Sequence, residues 1–241
     1  MSASGEAFAR AAGLAERVGS PPFLGVSLEG IQTDLARIRG EGYDLALPGL
    51  ERFIAQDVPE LRWVMALVWA TVALLYAFDG RDDDALQALH RVLPAIERAA
   101  GWAFGYTAIL HWAIEALWIL ERRDRADALE RNLREKTLAP DFRFPHTDAR
   151  LALARLCALT GRFDEARTWF EKARRVLDEQ QAQPLRALVD FDEAWMEVRR
   201  SGAGDRERAR GLLDAARGPF QSIGMPGWLR RADELRRELE R

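Results

Sequence analysis

Two residues of this 241-residue chain stand where an acid and a base could cooperate. His111 and Glu115 are four apart in an otherwise apolar stretch, so a helix puts both on one face. In a pocket they could pass a proton to and from a substrate. As a buried polar pair that satisfies itself they would do no chemistry, and this plainer alternative stays beside the first. Asp79, Asp82, Asp83 and Asp84 crowd one turn. Such a cluster can hold magnesium for a diphosphate, but carboxylates in a first helical turn also simply favour the helix dipole. The second reading is adopted. Cys157 is the single cysteine, so neither an internal disulfide nor a cysteine-based metal site is available. That fits a reducing cytoplasm, and the residue itself is expected to pack inertly. His90 and His146 fall in polar segments and carry little weight. Sequences that would name a reaction are missing: no P-loop, no Gly-x-Gly-x-x-Gly after a strand, no HExxH, no Glu-x-x-His pair and no Gly-x-Ser-x-Gly elbow. No catalytic residue, metal or cofactor is therefore expected.

The elements that must carry these side chains are helical. Hydrophobic residues make up 48% and charged residues 30%, ordinary for one soluble globular domain with ample core. This excludes a disulfide scaffold, a disordered tail and a collagen-like chain. All but Lys136 and Lys172 of the 35 basic side chains are arginine, and the net charge is −3. Direct nucleic-acid binding is not expected from that total, although a local basic patch stays open. The first twenty residues lack a secretion signal. The run from Trp63 to Phe78 is interrupted only by Thr71, yet it falls short of the roughly 20 residues that span a bilayer. A helix buried on all sides is expected there instead of a membrane segment.

Helices are predicted over 4–18, 26–39, 44–56, 59–78, 83–100, 104–122, 124–138, 146–160, 163–181, 184–200, 205–222 and 227–240. Pro94 lies within one of them and should kink or split it. The helices repeat in pairs. The turns after Asp79, Arg123, Gly161 and Gly204 each end on an alanine: Ala85, Ala128, Ala166 and Ala209. Ala73, Ala116 and Ala154 stand twelve residues before the first three, and Ala194 precedes the fourth by fifteen. Antiparallel helices cross closely only where small residues clear the way, so fixed spacing across a turn marks a repeated helical hairpin.

Trp69, Val72, Ala73, Tyr76, Gly80 and Ala85 resemble the tetratricopeptide (TPR) pattern of Trp, Leu, small, Tyr, Gly, Ala. Trp112, Ala116 and Ala128 repeat part of it, and so do Ala154, Cys157, Gly161, Ala166, Phe170 and Ala173. The units are longer than the usual 34 residues, near 40. In that respect, and in the stretch from Gly202 through Pro226, the chain resembles the C-terminal repeat regions of MalT-like bacterial regulators and signalling ATPases. The resemblance implies an all-α, right-handed α-solenoid of about five TPR-like hairpins over 25–241, closed by a capping helix after Gly227. Residues 1–24 would form an N-terminal helix and linker that could fold back on the array.

The resemblance also implies that the first helix of each hairpin lines a concave groove. Spacing from the alanines then points Leu67 and Leu74, Leu110 and Leu117, Leu151 and Arg155, and Phe191 and Trp195 into it. So apolar a strip would need a cover: the chain's own N-terminal helix, a second copy, a partner helix or peptide, an apolar small molecule, or closure of the array on itself. Trp195 with Arg155 is the expected aromatic–cationic lip for recognition. The implied function is a non-catalytic interaction or sensing module of a cytoplasmic bacterial regulatory system, such as transcription regulation. The alternative is a small-molecule-binding protein or enzyme with an apolar hollow around His111, Glu115, Trp118 and Trp195. A closed cavity holding His111 and Glu115 together would favour that alternative.

Overall fold

A computed structural model describes residues 32–55, 62–98, 104–136 and 147–241. The expected helix 4–18, the 1–24 segment, Trp102 and His146 lie outside them. Every regular element among the described residues is a helix. We number them α1 (residues 32–39), α2 (Tyr43–Ile54), α3 (Arg62–Phe78), α4 (Asp82–Arg98), α5 (Phe104–Ile119), α6 (Ala126–Lys136), α7 (Ala149–Leu159), α8 (Phe163–Glu179), α9 (Gln183–Arg200), α10 (Asp205–Ile223) and α11 (Pro226–Leu239). No helix among the described residues is long and apolar enough to cross a membrane. The apolar run within α3 is packed away instead, with every residue from Thr71 to Ala77 buried. Helix α5 is buried on all faces from Tyr106 to Trp118.

A recurring stop signal sets the element lengths. Gly40, Gly80, Glu121, Gly161, Gln181 and Gly224 all have positive φ at a helix end. The next N–H in each case returns to the carbonyl five residues back: Glu41 to Ala36, Arg81 to Tyr76, Arg122 to Leu117, Arg162 to Cys157, Ala182 to Leu177 and Met225 to Phe220. This cap satisfies carbonyls that the last helical turn would otherwise leave orphaned. Four of the six positions are glycine; Glu121 and Gln181 hold the left-handed conformation at a steric cost. Asp148 performs the matching service at the start of α7, accepting from the N–H groups of Arg150 (2.8 Å) and Leu151 (3.3 Å). It is the N-cap of that helix. Pro94 does not split α4. The carbonyl its ring deprives of a partner is that of His90, an exposed residue where water can replace the lost bond.

Packing proceeds stepwise. Helix α3 touches α2, α4 and α5; α5 touches α7; α7 touches α8 and α9; α9 touches α10 and α11. Ala73, Ala116, Ala154 and Ala194 are fully buried at these crossings, as are Ala85, Ala166 and Ala209. Ala128 departs from the expected register and is only half-buried, while Leu129 fills the equivalent site at 1% exposure. The Glu121–Arg125 turn, with two positive-φ residues, displaces the helix start and shifts the pattern by one. Two apolar clusters result, and α7 is their common wall. Ala149, Ala152, Leu153 and Leu156 face the first; Leu151, Ala154, Cys157 and Ala158 face the second.

Helix α11 returns to α1, the first described helix. Trp228 Nε1 donates to the Arg37 carbonyl (2.8 Å), and Arg230 meets Glu41 (2.8 Å). Gly227 lies so close to Gly40 that a Cβ at 227 would sit 1.9 Å from the Gly40 oxygen. Gly227→Val should therefore lower stability by about 1–3 kcal/mol or more through overpacking. Gln181→Gly, which relieves the strained cap, should raise it by roughly 0.5–1 kcal/mol. Urea unfolding midpoints check both, and a Gly227→Val protein as stable as the parent would deny the contact.

Candidate functional site

Helices α5, α7 and α9 run side by side and present Glu115, Arg155 and Asp192 to one another in the interior; α1 adds Arg37 from the other side. Arg37 Nε donates to Glu115 Oε2 at 2.8 Å, with its Nη2 2.6 Å from the same oxygen. Arg155 lies between two carboxylates, 2.7–2.8 Å from Asp192 Oδ2 and 3.4–3.5 Å from the Glu115 oxygens. Trp118 Nε1 donates to the remaining Asp192 oxygen at 3.0 Å. All four charged residues are at most 3% exposed. Two arginines balance two carboxylates, as burial in a poorly polar interior requires. Burial pushes the Glu115 carboxyl up, but Arg155 and Arg37 outweigh it and hold Glu115 below the usual range. Asp192 goes the other way: burial raises it, and Arg155 only partly offsets that.

The two residues first singled out are neighbours on α5 but do not act as a pair. No hydrogen bond joins His111 to Glu115 among the described residues, and His111 Nε2 is buried without a partner. Burial, then Arg155 and Arg37, depress the imidazole to about 3, so it is neutral at physiological pH. Glu115 is saturated by two guanidinium groups. Neither an acid–base couple nor a self-satisfied pair is formed, because the arginines outcompete the histidine for the carboxylate.

The expected groove residues are equally redistributed. Leu74, Leu110, Leu117 and Leu151 are at most 2% exposed, and Phe191 is 5% exposed. The four leucines are core side chains. Leu67 is half-buried against the first cluster. The described cover is α1, whose Ala36 joins the first cluster while Ile38 packs on the second. Trp195 remains half-buried, but its cation is Arg199, with Cζ 3.6 Å from the ring centroid, and not Arg155. Arg155 is held by its carboxylates and cannot reach outward. Asp82, Asp83 and Asp84 occupy the first turn of α4, where Arg81 bridges Asp84 (2.8 Å) and Glu51 (3.1 Å). Glu130, Cys157 and Glu165 could bring three ligand atoms together. Arg134 and Arg162 already neutralise both carboxylates, and burial pushes the thiol up to about 12, so they carry no metal reading.

What the fold does build is a pocket of about 340 Å³ where α11 closes against the rest. Rings dominate its walls: Phe78, Trp118, Phe191, Trp195 and Trp228. They form a connected series. Trp118 and Trp195 meet edge-on at 5.1 Å, Trp195 and Phe191 at 6.3 Å, and Phe191 and Trp228 at 5.4 Å. Trp228 then meets Phe78 at 5.4 Å, and Phe78 stacks on Tyr43 at 5.2 Å. Glu115, Arg155 and Asp192 form the polar floor, and Arg231, Glu234 and Glu238 come from α11. His111 is not in the wall. Glu115, Trp118 and Trp195 of the expected hollow line it, as do Arg155 and Phe191 of the expected groove, whereas Phe78, Asp192 and Arg231 were not singled out in the sequence. A signal existed in α9, whose sequence sets Asp190, Asp192, Glu193 and Glu197 among apolar residues, and all four are buried.

Comparison of the chain with protein-family models, curated proteins and solved structures returns no match. The site is thus read from its geometry alone.

Breaking the charge network should be expensive. Glu115→Leu removes a buried carboxylate that both Arg37 and Arg155 contact and should lower stability by about 3–5 kcal/mol in chemical denaturation. His111 supplies a pH dependence with a definite sign. Its folded value, about 3, lies below its ordinary 6.5, so the fold favours the neutral ring. That contribution is complete above pH 6.5 and is lost as pH falls toward 3, at up to about 1.4 kcal/mol per pH unit. His111→Leu should flatten the stability–pH curve between pH 6 and 4; an unchanged slope would contradict the assignment.

Proposed function

We propose that the chain is a right-handed α-solenoid of TPR-like hairpins capped by α11, and that it is a non-catalytic sensing module for a small molecule. The recurring six-fold helix stop, the buried alanines and the contacts of each first helix with the next support the solenoid. The pocket at the seam carries the functional reading. It is concave and ring-walled with a few placed polar groups, and its volume lies at the low end of the roughly 300–1,000 Å³ found for ligand sites. A partner helix in an open groove fits less well, since the leucines meant to receive it are core. Catalysis by His111 and Glu115 fits less well still, with one neutral and outside the pocket and the other held by two arginines.

The seam location bears on signalling. A molecule bound there touches α11 and the helices it closes upon, so occupancy favours the closed arrangement over an opened one. The altered surface would be the output to a partner, in a bacterial regulatory setting of the kind the resemblance implies.

The neutral dye Prodan tests the pocket without engaging charge. One dye per chain should bind, with blue-shifted emission and quenched tryptophan fluorescence. Trp195→Ala should weaken binding at least about tenfold, whereas Leu45→Ala, 73% exposed and away from any cluster, should not. Binding indifferent to Trp195→Ala would overturn the reading.

A further inference from the structure

The charges around the pocket do not all cancel inside it. Glu115 and Asp192 are matched by Arg37 and Arg155 through the contacts already described. Arg231 is matched by none. Its Nη1 donates to the Gly40 carbonyl (3.3 Å) and the Tyr43 hydroxyl (3.1 Å), and its Nη2 to the Phe78 carbonyl (3.3 Å). All three acceptors are neutral, and no carboxylate pairs with Arg231 among the described residues. A guanidinium has five N–H donors in a planar fork. Three are used, which leaves Nε–H and one Nη2–H without a protein acceptor among the described residues.

The surroundings hold this cation in place without neutralising it. Its Cζ lies 4.9 Å from the Phe78 ring, 5.1 Å from Trp228 and 5.8 Å from Tyr43. Rings orient a guanidinium by their quadrupole but supply no counter-charge. On the same helix, Glu234 and Glu238 also line the pocket, but both are exposed and neither forms an ion pair with Arg231. They belong to the solvent-facing rim. The pocket wall therefore offers a half-buried, oriented cation with two unused donors, beside an apolar ring-lined space. That is the complement of a carboxylate carried on a flat apolar body.

We infer that the pocket's ligand is a small aromatic carboxylic acid, bound as its anion with the carboxylate on Arg231 and the ring among Trp118, Phe191, Trp195 and Trp228. This deepens the proposed sensing role and rests on the pocket being a binding site. The pocket volume suits a single ring with a short acid-bearing chain.

The test displaces Prodan from the full chain with three isosteric probes: 3-phenylpropanoate, 3-phenylpropanamide and 3-phenylpropylamine. The acid should compete at least about tenfold better than the amide, and the amine no better than the amide. This comparison uses the unmodified protein and does not depend on any variant folding. Arg231→Gln should then make acid and amide equal, with Arg231→Lys retaining part of the preference; circular dichroism checks that each is folded. Equal competition by acid and amide on the unmodified protein would overturn the inference while leaving the pocket standing. So would a preference for the amine, which would assign recognition to Glu234 and Glu238, and so would failure of all three probes against dye whose binding depends on Trp195. Dye binding that ignores Trp195 would instead remove the pocket reading, and the acid with it.

Discussion

A charge withdrawn from water must find its opposite, and this constraint organises the interior. Arg37, Glu115, Arg155 and Asp192 come from four helices that are far apart in sequence, and each is nearly inaccessible to solvent. Such a series adds little net stability over well-packed apolar side chains. Its force lies in what it forbids. Leucine and alanine faces tolerate a slip of one helix against another; a slip here would bury an arginine or a carboxylate alone, at several kcal/mol. The same bonds fix the floor of the pocket, because Asp192 holds the Trp118 indole and Arg155 keeps Asp192 in place.

The outer helices follow a related rule at lower stakes. Arg167 on α8 bonds Glu197 of α9 and reaches Asp205, while Arg174 bonds Asp190 and Glu193. Helix α9 thus carries acids toward α8 on one side and toward α7 on another, with Phe191 and Trp195 between. A chain that is nearly free of lysine relies on the planar, many-donor guanidinium for these contacts, which an ammonium could not reproduce.

Helix positions and the all-α class were legible in the sequence because their signals are local. Periodicity, proline at the starts of α9 and α11, and glycine at most of the stops each act within one turn. The shift at Ala128 shows the limit: two positive-φ residues, Glu121 and Arg125, lengthen that turn, and neither is a glycine that would announce it. The burial of the leucines expected in the groove has a different reason. Spacing identifies which leucines share a face, but not whether another helix of the same chain lies over that face. Arg37 and Asp192 were overlooked because each is unremarkable alone, and only their pairing across the fold explains their burial. Arg231 is likewise unremarkable in the sequence, one of several arginines on α11, and only its contacts with Gly40, Tyr43 and Phe78 single it out.

The meeting of Gly40 with Gly227 has a consequence for how such a chain can change over generations. Open repeat arrays lengthen or shorten by duplicating or losing a unit, since each unit touches only its neighbours. Here α11 must arrive against α1, the first described helix, at backbone distance. An inserted or deleted helix pair between them would carry α11 out of reach and dismantle the wall that Trp228 and Arg231 provide. The contact therefore resists changes of length between α1 and α11, and substitutions at the lining are the freer route to diversity.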